Sequence, residues 1–298
     1  MRLVAPHYVR RFHCIAERCR HNCCIGWYIG VDDHTLARWR ALPGKAADPI
    51  LATVDTDGDG THLCLGADGR CPHLDARGLC RLITAHGEGI LPDICREHPR
   101  FYLPTPDGAV MGIGAVCEEA ARLILESDGY ARTVDLGAWE GDTDPATADA
   151  IRLREALYRS LSERTVPYSE RLREVWRAAS LDGPPEGEAV AELLDTLEYL
   201  DPAHRTLFHA YTEQPPITHE GERYAERFLA YLLLRHLTPA STEAQRRCAL
   251  RLCCLVERLF VSLVATGTDP VEAARTLSEE LEYSEDNTDA LLLGAAFF

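Results

Sequence analysis

Nine of the chain's twelve cysteines fall before residue 120: Cys14, Cys19, Cys23, Cys24, Cys64, Cys71, Cys80, Cys95 and Cys117. Cys248, Cys253 and Cys254 come much later. Between the front cysteines Gly, Pro and Asp recur every few residues, so this region has few long apolar faces and needs a staple to fold. Disulfides would serve in a small secreted chain. This chain has 298 residues and opens on MRLVAPHYVRRFHC, which holds no apolar stretch of signal-peptide length. The cytoplasm is therefore the expected compartment, and metal or redox chemistry the expected use of the thiols. No run of 18 apolar residues is present, so no membrane span is expected.

The cysteines form two groups and a straggler. The first is CIAERCRHNCC, with Cys14, Cys19, Cys23 and Cys24 on one tight loop. The second is Cys71, Cys80 and Cys95, and Cys117 follows. Soft thiolates hold zinc or the iron of an iron–sulfur centre, and four suffice for either. Two groups about fifty residues apart can close over a common site. Arg18, Arg20, Arg96 and Arg100 lie beside them and favour thiolates. Zinc ribbons use paired C-x2-C knuckles, which are missing here, and the adjacent pair Cys23-Cys24 is awkward for one tetrahedral ion. Spacing therefore leans toward iron–sulfur and leaves zinc open. The C-x3-C-x2-C pattern of radical S-adenosylmethionine enzymes is excluded, because the third cysteine would fall on Gly26.

The rest of the chain divides by pattern. Residues 1–127 read as an irregular, cysteine-rich metal domain with short strands and two short helices. DDHTLARWRAL is one helix, capped by Asp32 or Asp33, and CEEAARLILES is the other. ATVDTDGDGTHLCLGADGRC reads as two strands joined by Asp–Gly turns. Asp55, Asp57, Asp59 and Gly60 resemble the start of an EF-hand loop, but the twelfth position is Gly66 rather than Glu, so a hairpin turn is expected. Residues 128–148 read as an acidic connection. From 149 to 298 apolar residues recur with helical period in six segments, so the fold class expected is mainly α, the front region followed by an all-α lobe. Cys248, Cys253 and Cys254 on one helix would point three ways, as core thiols do.

Charge is uneven. Residues 1–120 carry 13 Arg/Lys against 15 Asp/Glu, and residues 121–298 carry 18 against 32. The acidic back half repels phosphate backbones, so nucleic acid is not an expected partner. No G-x-G-x-x-G follows a strand, so a Rossmann-type methyl-donor site is not visible.

YVRRFHCIAERCRHNCCIGWYIGVDDHT, then CPHLDARGLCRLITAHGEGILPDICREHPR, then CEEAARLIL follow one another as in the flagellin lysine-N-methylase family, which this chain resembles over most of its length. ERYAERFLAYLLLRHL also looks like that family's helical aromatic segment. Part of the cysteine pattern is shared with a broader group of zinc- or iron-chelating domains. The resemblance implies methyl transfer from S-adenosylmethionine to a lysine ε-amine of a protein, flagellin by analogy, and a [4Fe–4S] cluster. It maps the metal ligands onto Cys14, Cys19, Cys23, Cys24, Cys71, Cys80, Cys95 and Cys117. An amine must be neutral to accept a methyl group, and lysine at pH 7 is almost wholly protonated. Glu118, Glu119, His98 and Tyr102 are the candidate neighbours for that proton, and Trp27, Tyr28 and Arg100 the candidates for holding the cofactor. An exposed iron site is one place where the amino-carboxylate end of S-adenosylmethionine could bind. The rival reading is a non-catalytic metal-chelating or electron-carrying domain that binds a protein partner.

Overall fold

The computed structural model describes residues 1–58 and 60–297. In chain order the regular elements are β1 (Arg2–Pro6), α1 (Asp33–Arg40), α2 (Asp48–Leu51), β2 (Val54–Asp57), β3 (Gly60–Leu63), α3 (Arg81–His86), α4 (Asp93–Glu97), β4 (Arg100–Thr105), β5 (Gly108–Ile113), α5 (Glu118–Glu126) and β6 (Thr133–Ala138). Helices then follow: α6 (Ala148–Leu161), α7 (Tyr168–Ala178), α8 (Gly187–Asp195), α9 (Pro202–Phe208), α10 (His219–Leu232), α11 (Glu243–Ala265), α12 (Pro270–Glu282) and α13 (Glu285–Gly294). The chain is mainly helical, as its period indicates. Among the described residues no helix is long and apolar enough to cross a membrane.

Two compact units result: unit 1 is Met1–Phe12 with Arg100–Phe298, and unit 2 is His13–Pro99. This division differs from the expected boundaries at 127 and 148, and the reason is a sheet. Its strand order is β4-β5-β1-β6, with β1 parallel to β5 and antiparallel to β6. β1 and β6 lie at opposite ends of the front half of the chain, so no local pattern announces their pairing. Residues 128–148 therefore supply a sheet strand rather than a plain connection. Gly108 opens β5 at φ +152°, where a Cβ would overlap the Arg2 carbonyl, so the close approach of β5 to β1 requires glycine there.

In unit 1 the helices bury one large core. α10, α11 and α12 pack together, and α5 packs on α10 and α12. Phe228 and Phe260 stand at its centre with ring centroids 4.7 Å apart. Cys253 and Cys254 are buried among apolar neighbours of this core, as expected for core thiols. The last turn of the aromatic segment widens into a π-helix, Leu233–Leu237.

Unit 2 has a smaller core. It centres on Trp39, whose indole Nε1 donates to the Ile90 carbonyl at 2.8 Å. β2 and β3 form the expected hairpin; Asp59 at its turn lies outside the described residues. Asp32 caps α1 by accepting the Thr35 N–H at 2.7 Å, and it also accepts the Asp93 N–H at 2.9 Å, which ties α1 to α4.

Candidate functional site

The two cysteine groups of unit 2 meet through their backbones. The Cys71 N–H donates to the Cys24 carbonyl at 2.8 Å, and Ile25 bridges Arg70. Asn22 accepts the Cys24 N–H and donates to the Gly78 carbonyl, which fastens the first loop to the turn before Cys80. That turn is held by Asp75, whose Oδ1 accepts the N–H groups of Arg77 and Leu79. Cys80 is then the N-cap of α3, and Cys95 lies in α4.

The electrostatics of Cys23, Cys24, Cys71 and Cys95 are linked, with Cys80 acting on Cys71 and Cys95; among the described residues no three of these sulfurs lie within 4.8 Å of one another. Cys23 is lowered to about 7 because the Cys24 S–H bonds its sulfur, and that same bond raises Cys24. The pair shares one proton between neighbouring sulfurs. Burial and then the charges of Cys71, Cys23 and Cys80 push Cys95 up to about 12. Burial raises Cys71 as well, reinforced by Cys80 and Cys23, against a bond from the His73 N–H. Raised in this way, Cys24, Cys71 and Cys95 hold their protons unless a cation displaces them. The donor set is all sulfur and its exposure is graded from Cys71, buried, to Cys23, exposed. These residues fit a soft inorganic core.

The remaining sequence candidates are placed as follows. Cys14 is exposed and Cys19 half-buried on the preceding loop of unit 2, where the Cys19 S–H donates to the His21 carbonyl. Cys117 belongs to unit 1 as the N-cap of α5. The buried His73 meets the Thr53 hydroxyl at 3.0 Å. Tyr28 is exposed, with its ring centroid 5.0 Å from that of His62, and Trp27 beside it is half-buried. His98 ends α4 in unit 2. Glu118, Glu119, Tyr102 and Arg100 are in unit 1. Glu119 is buried and grips the Arg122 guanidinium through both oxygens, at 2.8 and 2.6 Å. Tyr102 stacks on Trp139 with centroids 5.6 Å apart, and the Arg100 guanidinium lies over the Phe12 ring.

Unit 1 holds a polar constellation that the sequence reading missed. The carboxylate of Glu282 accepts the Tyr231 hydroxyl at 2.7 Å, meets His236 Nε2 at 2.8 Å and lies 3.3 Å from Arg235 Nε. Burial alone would raise Glu282; the charge of Arg235 and the bond from His236 outweigh it and bring the group down to about 2. Tyr231 also accepts the Ala115 N–H, and Tyr283 leaves no room for a side chain at Gly114. The signal was present in FLAYLLLRHL: an Arg-His pair ending an otherwise apolar helical run, at a π-turn.

Together these features define a mainly helical protein with a cysteine-rich second unit. Over 126 residues the chain is 29 % identical to the Lysine-N-methylase of Salmonella typhimurium, which covers 40 % of this chain and 31 % of that protein. The Lysine-N-methylase of Salmonella choleraesuis gives the same identity and coverage. The Flagellar biosynthetic protein FliU of Salmonella muenchen is 28 % identical over 126 residues, which make up 75 % of its length. No family model matches the chain, and no solved structure matches it. The chain spans about a third of the length of the two methylases. It is related to the flagellin lysine-N-methylase family.

Proposed function

We propose that the chain transfers a methyl group from S-adenosylmethionine to a lysine ε-amine of a flagellin-like protein, and that unit 2 carries an iron–sulfur cluster on thiols drawn from Cys23, Cys24, Cys71, Cys80 and Cys95. The observation that supports this reading is the relationship to named lysine-N-methylases in a chain whose two cysteine groups meet. Such a cluster, when bound, supplies a compact positive core that holds thiolates together and can exchange an electron. Methyl transfer itself needs a neutral amine: its lone pair forms the N–C bond, the S–C bond breaks toward the thioether, and one proton leaves the nitrogen. Of the four groups singled out for that proton, Glu118, Glu119, His98 and Tyr102, Glu119 is committed to Arg122.

The test is to incubate chain purified without oxygen with labelled S-adenosylmethionine and flagellin, and to look for labelled methyl-lysine by mass spectrometry. The reading expects label on lysine. A metal-loaded chain that leaves flagellin unlabelled would favour the metal-carrying, partner-binding alternative, to which the limited span of the match also lends weight.

A further inference from the structure

A cleft of about 480 Å³ opens in unit 1, within the size range of small-molecule sites. Its floor and rim come from two adjacent stripes of α6 and the turn that ends it. Arg154, Tyr158 and Ser162 form one stripe, and Glu155, Arg159 and Glu163 the other, each stepping by four residues. Tyr130 closes one side with its ring edge-on to Tyr158, and Leu234 of the π-turn lines the cleft too.

Arg154 is the anomaly. It is 7 % exposed, its Nη1 donates to the Thr238 hydroxyl at 2.6 Å, and its Nε has no hydrogen-bond partner. The other buried arginines each meet a carboxylate: Arg171 with Glu226, Arg227 with Asp128, Arg258 with Glu257, and Arg275 with Glu272 and Glu279. Among the described residues no carboxylate pairs with Arg154. A buried guanidinium without a counter-charge is costly, and an empty donor beside a cleft is a place for an acceptor brought from outside. Next to Arg154 on the helix the rim carries Glu155, followed at four-residue steps by Arg159 and Glu163, all exposed. The Glu155 carboxylate beside the Arg154 guanidinium matches a ligand with both charges close together.

We propose that this cleft binds an α-amino acid head group, its carboxylate on Arg154 and its ammonium on Glu155. Free methionine and S-adenosylmethionine share that chemistry. The inference rests on the proposed methyl-transfer reading only for the second of these. It locates the methyl donor's head on the unit 1 cleft rather than on iron.

The test is calorimetric titration of the full chain with S-adenosylmethionine, methionine and 5′-methylthioadenosine, which keeps the sulfur and adenosine but lacks the head group. Arg154→Met is expected to weaken S-adenosylmethionine at least tenfold and leave 5′-methylthioadenosine unchanged, with Arg154→Lys in between. Should Arg154→Met fail to fold, the surface variant Glu155→Gln decides, with an expected loss of about threefold or more. Unchanged S-adenosylmethionine binding in the folded variants overturns the inference while leaving methyl transfer intact. Methionine binding that depends on Arg154, with no binding of S-adenosylmethionine, upholds the cleft and counts against the methyl-transfer reading. Binding of neither overturns both.

Discussion

Unit 1 and unit 2 solve the folding problem by different means. Among the described residues, unit 1 buries a continuous cluster of 47 apolar side chains and unit 2 only ten, one of them Cys71. Unit 1 can neutralise its buried charges internally, as Glu282 does with Arg235 and His236. In unit 2 burial and neighbouring thiols raise the proton affinity of Cys24, Cys71 and Cys95, which the proposed cluster would have to overcome. On the proposed reading a bound cluster adds to the small core of unit 2, since a structural metal contributes on the order of 10 kcal/mol.

The comparison breaks most visibly if the thiols go. Replacing Cys71 and Cys95 together by serine should abolish hydrogen-exchange protection across residues 13–99 and leave the protection of α10 and α11 in place. Equal loss in both units would deny their independence. Next comes the converse. Phe260→Ala, at the centre of the large core, should cost unit 1 about 3–5 kcal/mol in denaturant unfolding while metal content stays constant.

A third variant probes the buried charge. Glu282 titrates near 2 in the folded chain against 4.5 ordinarily. The folded carboxyl thus holds its proton less tightly than the unfolded one. Its contribution, about 3 kcal/mol, is complete above pH ~4.5 and is lost as pH falls toward about 2. Glu282→Gln should lower stability at neutral pH by about that amount and flatten the acid limb of the stability curve, measured by denaturant midpoints from pH 2 to 7. The smallest effect belongs to a cap. Asp32→Ala removes the acceptor shared by Thr35 and Asp93 and should cost unit 2 about 1 kcal/mol in the metal-loaded state.

Helical period and capping residues made most of unit 1 legible in the sequence. Tyr168–Ala178, Glu243–Ala265 and Pro270–Glu282 fall where their apolar spacing put them, because an amphipathic face is a local property. Asp32 was readable as a cap for the same reason. The four-stranded sheet was not readable: β1 pairs with strands about 105 and 130 residues away, and each strand is short. Of the site, the meeting of the two cysteine loops followed from their density. The Glu282 constellation did not, since its members are scattered over three helices and joined only in space. Arg154 was equally hidden; its isolation from carboxylates exists only in the folded chain.

The central claim is that unit 2 is organised by an iron–sulfur cluster on its thiols. Iron, acid-labile sulfide and zinc should be quantified in chain purified without oxygen, alongside its absorption spectrum. The account predicts a brown protein with iron and sulfide in equal amounts, both lost in the Cys71→Ser/Cys95→Ser variant. A colourless protein that holds neither iron nor sulfide, with residues 13–99 still folded, would contradict it.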